Sequence, residues 1–326
     1  RTLACGRVTA MDLVVHVLRR MGGRATTLLP FSLLLGIVFQ NAASAFRPLV
    51  EPGAIVLLTL ALARTDWARV LTLLRRPIPA LVLSIAHLLL VPLIVWQVWR
   101  TLGLWPGLVA ALSLSAMAPG IISATTTAGF LRLDSSLALL LTLFTNFFVP
   151  FTLPPLALEL LGLDLKISAI DLSLRLAFIV GVSSAGALAI RLWLGAERLR
   201  RSSQTLDGLS VIVLMAFTIP LMDGIVARAE ADPLKLFGFI AGSFAGMLLC
   251  NAVLALAALP FLDLRMALTA GYCSGGRHNA LLMAVLPATA DPDIFLFIAA
   301  VQIPLYVLPA LLQPLYRRLL GVAPGD

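Results

Sequence analysis

Arg277, His278 and Asn279 stand in a row, directly after Ser274-Gly275-Gly276, inside an otherwise apolar stretch of a 326-residue chain. A guanidinium is always charged and offers five donors in a planar fork. Within a bilayer an Arg costs about 2.5–3.5 kcal/mol on insertion scales, so it must face a cavity or a partner. The chemistry this points to is anion binding. The alternative is a structural ion pair, with Asp223 or Asp134 as candidate partners. His278 adds an imidazole that can bind substrate or carry a proton. Asn279 adds an amide able to bridge an interrupted helix.

A second polar island runs from Ala118 to Gly129 and contains Pro119, Gly120, Ser123, Thr125, Thr126 and Thr127. Pro and Gly weaken a helix in mid-membrane, and the freed backbone groups need partners or water. Interrupted helices at corresponding positions of two halves point to a transport site. A close-packed interface of small residues is the alternative. Thr142 and Asn146 lie one turn apart and share a helix face. His87 stands alone on an apolar helix and reads as structural. Gln40, Asn41, Asn251 and Gln302 read as interhelical hydrogen-bonders, and Asp223 as a solvated charge near the outer end of its span. Ser274 with His87 or His278 as base would make an intramembrane hydrolase, but a Ser and His four apart on a broken helix are poorly placed. No metal-ligand pattern, P-loop or GxGxxG occurs, so neither an enzyme nor a cofactor is expected.

Composition sets the frame for these residues. Hydrophobic residues make up 60% and charged residues 12%, against roughly 45–50% and about 25% in soluble domains. There is too little charge to cover a water-exposed surface. Disorder requires the opposite composition. The three cysteines, Cys5, Cys250 and Cys273, form no CxxC and no disulfide framework. Long continuous apolar runs exclude a barrel of short alternating strands. The net charge of +8 reflects Arg in loops on one side of a membrane rather than a nucleic-acid surface.

Ten segments are expected to cross the bilayer: 27–45, 50–64, 79–99, 106–130, 135–161, 171–194, 207–227, 235–260, 264–287 and 293–315. The second is short and runs into an interfacial turn around Asp66, Trp67 and Arg69. Residues 1–26 carry five Arg around a short apolar stretch without a small-residue cleavage site, which points away from a secretory signal. They read as a cytoplasmic segment with an amphipathic lead-in over 11–20, and Met11 is a candidate start. Further Arg clusters at 64–76, 191–201 and 317–318 share that side, which places both termini, including the tail 319–326, in the cytoplasm. Span starts at 50, 79, 106 and 135 recur at 207, 235, 264 and 293. Five helices per half would bring the second half in from the opposite side. The expected fold is therefore all-α, with two inverted five-helix repeats, 27–161 and 162–318, in which helices 4 and 9 are broken.

These elements together resemble the bile acid:sodium symporter family, over about residues 27–318. The resemblance rests on Pro119-Gly120, Asp134 at the following turn and Val149-Pro150-Phe151-Thr152-Leu153-Pro154-Pro155-Leu156. In the ninth helix it rests on Gly276, Asn279 and Ala280-Leu281-Leu282-Met283-Ala284-Val285. It implies the ten-helix fold of sodium/proton antiporters, with a core of spans 3–5 and 8–10 and a panel of spans 1, 2, 6 and 7. The departures are as informative. The family's sodium-binding Glu falls on Ser274 or the neighbouring Gly, its Gln on His278, and its Ser-Asn pair on Ala124-Thr125. Of two helix-five hydroxyls, one falls on Ala138 and the other is kept as Thr142. Residual sodium candidates are Thr125, Thr142 and Ser274, without a carboxylate. Arg277 places a fixed positive charge where the family places ions.

The expected function is secondary transport of a small organic anion by alternating access, with proton coupling or no coupling ahead of sodium symport. The expected partners are that anion, a proton or sodium, and lipid, but no nucleic acid; oligomeric state is open. The alternatives are a sodium-dependent symporter of bile-acid type, a non-transporting receptor and an intramembrane hydrolase. The Arg- and Ala-rich composition suggests a bacterial inner membrane.

Overall fold

The computed structural model describes residues 15–18, 20–21, 25–75, 77–161, 168–287 and 290–321. Most of the expected inner-face segment 1–26, Lys166, and the tail beyond Gly321 lie outside the described residues. Within them the chain is all-α, with a single isolated backbone bridge. The first half holds α1 (Ala25–Val38), α2 (Gln40–Phe46), a 3-10 turn (Arg47–Leu49), α3 (Val50–Arg64), α4 (Trp67–Leu73) and α5 (Ile78–Ile85). A π turn (Ala86–Leu90) leads into α6 (Val91–Thr101), then α7 (Pro106–Met117), α8 (Ala124–Phe130) and α9 (Ser135–Leu161). The second half holds α10 (Ala169–Leu194), α11 (Ala196–Arg201), α12 (Ser203–Leu221), α13 (Ile225–Ala231) and α14 (Pro233–Ala258). It ends with α15 (Leu264–Gly275), α16 (Asn279–Val285), α17 (Pro292–Ala300) and α18 (Gln302–Leu319).

Seven helical stretches are long and apolar enough to cross a membrane: 40–64, 78–101, 135–161, 169–194, 203–231, 233–258 and 292–319. The chain is a polytopic membrane protein. Six of these follow the expected spans closely. The seventh corrects the expected boundary between 27–45 and 50–64. The helix breaks at Phe39, and 40–64 stays helical through the 3-10 turn. Pro48 opens that turn, where its missing N–H costs nothing. The break at Phe39 is sealed by Gln40, whose Nε2 donates to the carbonyls of Gly36 (2.7 Å), Ile37 (3.1 Å) and Met222 (3.2 Å). The expected interfacial turn is α4, capped by the Asp66 carboxylate accepting from Arg69 N.

Contacts divide the chain into two compact units, Arg1–Thr65 with Gly181–Asp223, and Asp66–Val180 with Gly224–Asp326. The segments expected as spans 1, 2 and 7 thus fall in one unit, those expected as spans 3–5 and 8–10 in the other, and α10 is shared between them. In the first unit, Gly36 lets α1 meet the end of α12, since a Cβ there would lie 2.7 Å from the Ile219 carbonyl. Arg191 donates to the carbonyls of Ala63 (2.8 Å) and Thr65 (2.9 Å), closing the C-terminus of α3. Ion pairs join Arg64 to Asp207 and Arg47 to Asp223. In the α10–α12 connection the Arg200 and Arg201 guanidiniums hold the exposed Glu197 carboxyl below its ordinary range.

The second unit is organised on α14. Gly238, Gly242 and Gly246 recur every four residues and receive α7 and the residue before it. Trp105 presses on Gly238, and a Cβ on Gly242 or Gly246 would come within 3.1 Å of Leu108 or 3.0 Å of Leu112. Other residues of α14 receive α15, again through glycine. A Cβ on Gly271 would lie 2.5 Å from the Asn251 carbonyl, and one on Gly275 2.8 Å from that of Met247. Small residues spaced by four let helix backbones approach in the absence of a hydrophobic drive. Asn251 also donates to the Tyr316 hydroxyl at 2.7 Å, tying α18 to the same helix.

Overpacking at such a contact costs about 1–3 kcal/mol. Gly271→Ala should therefore lower the thermal unfolding midpoint in detergent. Gly181→Ala, where nothing lies within 4 Å of the new methyl, should leave it unchanged or raise it.

Candidate functional site

Two interrupted helices cross at their breaks. α7 and α15 each have 12 residues, about 18 Å of helix against a hydrocarbon core of about 30 Å. Pro119 pushes the residue before it out of the helical region, and Ala118 is extended at φ −64°, ψ 153°. On the other strand Gly276 leaves the helix at φ −79°, ψ 89°. The extended segments then pair antiparallel, Gly120 opposite Arg277. Ile121 N donates to the Gly276 carbonyl (2.9 Å) and His278 N to the Pro119 carbonyl (2.8 Å). Each break thus supplies the backbone partners that the other lacks.

Arg277 lies at this crossing with only 2% of its surface exposed. Nη1 donates to the Ala118 carbonyl (2.8 Å) and, with Nη2, to that of His87 (3.3 and 3.4 Å). Nη2 also donates to Ser274 Oγ at 3.1 Å. Both carbonyls are free for a physical reason. Ala118 follows the last turn of α7, where carbonyls lack intrahelical donors. In the π turn, Val91 N bonds to Ala86 instead of His87, and the next residue, Pro92, has no N–H to give. The cation also meets the C-terminal, negative ends of α7 and α15. The ion pairs among the described residues do not include Arg277. Asp223 is taken by Arg47. The Asp134 carboxylate caps α9, accepting from Ser136 N (2.8 Å) and Leu137 N (3.1 Å).

Helix α9 supports the crossing from the side. Thr145 Oγ1 accepts from Gly120 N (3.1 Å), and Asn146 Nδ2 donates to the carbonyls of Gly120 and Thr142 (2.9 Å each). Several buried polar atoms here have no hydrogen-bond partner: both ring nitrogens of His87, Asn146 Oδ1, Arg277 Nε, His278 Nδ1, Asn279 Oδ1 and Thr125 Oγ1.

Of the residues singled out in the sequence, Pro119, Gly120, Asn146, Ser274, Gly276, Arg277 and His278 are brought together here. Asn279 is buried as the first residue of α16. Gly275 faces α14. Thr142 spends its hydroxyl on the Ala138 carbonyl of its own helix (2.8 Å). Thr127 does the same with Ser123 (3.0 Å), while Ser123 and Thr126 are exposed. The structure adds Thr145, the Ala118 carbonyl and His87. His87 is fully buried, as a structural histidine would be, but its carbonyl belongs to the site. Pro92, five residues on, was the signal that could have found it.

No protein-family model and no curated protein sequence matches this chain.

Replacing Arg277 would orphan two carbonyls, at about 1–3 kcal/mol each. Thermal midpoints should fall in the order wild type, Arg277→Lys, Arg277→Met. Thr126→Ala, at an exposed position, should change the midpoint little.

Proposed function

We propose that the chain is a secondary transporter of a small organic anion that works by alternating access without sodium coupling. The observation that carries this is Arg277, a buried cation at the crossing of two interrupted helices with no carboxylate paired to it among the described residues. Its Nη donors are spent on protein oxygens, so it acts as a tethered cation and not as a mobile one. Its charge still makes the region attractive to an anion, because a low-dielectric surround screens it weakly. Direct contacts with substrate then fall to His278, Asn279, Thr125, Thr126 and Ser123 at the starts of α8 and α16. Two of the three residual sodium candidates support this. Thr142 is turned to its own helix, and Ser274 already accepts from a cation.

The reading includes a ten-span fold of two inverted repeats with both termini in the cytoplasm of a bacterial inner membrane. In support, α7 and α15 have the same length, as do α8 and α16. Asp134 and Asp291 cap α9 and α17 at corresponding places. Membership of the bile acid:sodium symporter family belongs to the same proposal. A hydrolase is disfavoured because the buried Ser274 hydroxyl is bonded to Arg277 and to no imidazole.

Uptake into proteoliposomes of taurocholate and of short mono- and dicarboxylates tests the proposal. Saturable uptake should persist when sodium is replaced by choline, and should drop at least about tenfold in Arg277→Met, a change of about 1.4 kcal/mol or more. Uptake that requires sodium and survives in Arg277→Met would overturn it, as would transport of organic cations alone.

A further inference from the structure

The turn between α8 and α9, in the second unit, carries a strained residue. Helix α8 ends in a Schellman motif, in which Leu133 N donates to the Ala128 carbonyl (2.8 Å) and Arg132 N to that of Gly129 (3.2 Å). This closure puts Arg132 in the left-handed region at φ 61°, the sole non-glycine residue with positive φ among the described residues. Glycine takes such a position without steric cost, whereas a Cβ is strained there. The fold therefore gains nothing from an arginine at 132. Its side chain is exposed and bonds to no protein group among the described residues.

Two more guanidiniums close on the same turn from other elements. Arg265, in the first turn of α15, donates Nη2 to the Leu133 carbonyl (3.3 Å). Arg69 of α4 donates Nη2 to Ser136 Oγ. None of the three arginines belongs to an ion pair among the described residues. The carboxylates on the same elements are committed to the backbone. Asp66, Asp134 and Asp263 each cap a helix start, accepting from Arg69 N, from Ser136 N and Leu137 N, and from Met266 N respectively. Each arginine also has a large, exposed apolar residue close by in sequence: Leu71 for Arg69, Phe130 for Arg132 and Phe261 for Arg265.

Exposed apolar side chains interleaved with arginine suit a membrane–water interface. There the arginine stem lies along apolar surface and its charged head reaches the headgroups. A guanidinium pairs with a phosphate through two parallel hydrogen bonds. A choline headgroup would bring a further cation to three cations whose neighbouring carboxylates already cap helices. A soluble anion would leave the apolar residues in water. A phospholipid with a net negative headgroup satisfies both sets of residues.

We propose that the α8–α9 turn, with Arg69, Arg132 and Arg265, is a binding site for the headgroup of an anionic phospholipid. The site shares no residue with the crossing of the interrupted helices, and it does not depend on what the chain transports.

Thermal unfolding in detergent, with and without added phosphatidylglycerol, tests this, since a ligand of the folded state raises the midpoint by mass action. Phosphatidylglycerol should raise the wild-type midpoint saturably by a few degrees. Phosphatidylcholine should not, nor should glycerol phosphate, a soluble source of the same charge. Arg132→Gly should unfold at or above the wild-type midpoint without lipid, because glycine fits the turn, and should lose most of the phosphatidylglycerol rise. Arg69→Gln and Arg265→Gln should each weaken that rise. Arg198→Gln, which removes an exposed guanidinium from α11, should keep it whole. An undiminished rise in Arg132→Gly would overturn the proposal, as would an equal rise with phosphatidylcholine or glycerol phosphate. A midpoint below wild type for lipid-free Arg132→Gly would also overturn it, by giving the side chain a structural task.

Discussion

A helix that stops in a buried, apolar surround exposes carbonyls that no water will meet, and this chain stops two of them at the same place. The antiparallel pairing of 119–121 with 276–278 satisfies part of that demand. Arg277 satisfies much of the rest, reaching the carbonyls of Ala118 and His87 and the hydroxyl of Ser274. The insertion cost of the guanidinium is offset by charge-assisted hydrogen bonds, at about 1.5–3 kcal/mol each, and by the negative ends of α7 and α15. The same group that stabilises the break gives it a permanent charge. Structure and proposed function thus depend on one side chain.

The surrounding helices make this geometry possible. α14 offers glycines to α7, and α15 offers Gly271 and Gly275 to α14, so both half-helices approach the α14 backbone closely. α9 holds Gly120 from the side through Thr145 and Asn146. The π turn before α6 supplies a carbonyl that an ordinary α-helix would have consumed. Each support is local, yet all of them converge on the 120–277 pair.

Much of this was legible in the sequence. Apolar runs of about twenty residues gave most long helices to within a few residues, because length and hydrophobicity decide membrane crossing. Pro119-Gly120 and Gly275-Gly276 marked both breaks, since these residues lack a donor or a side chain. Arg277 stood out by its cost. What stayed hidden depended on tertiary pairing. Asp134 and Asp223 were reasonable partners for Arg277, but one caps a helix and the other meets Arg47. Nothing in an apolar run separates His87 from a core histidine until the effect of Pro92 on its carbonyl is considered. The break at Phe39 has no Gly or Pro at its own position, and Gln40 seals it through the Met222 carbonyl, distant in sequence. The glycine spacing in α14 was visible, but not the helix it receives.

The central claim is that Arg277 supplies a cation which a mobile sodium ion would otherwise bring. Thermal stability of the purified protein in sodium against choline, at fixed ionic strength, tests it most directly. A ligand that binds only the folded state raises the midpoint by mass action. The account predicts equal midpoints in the two salts. A saturable rise specific to sodium would contradict it and would show that the crossing still binds the ion.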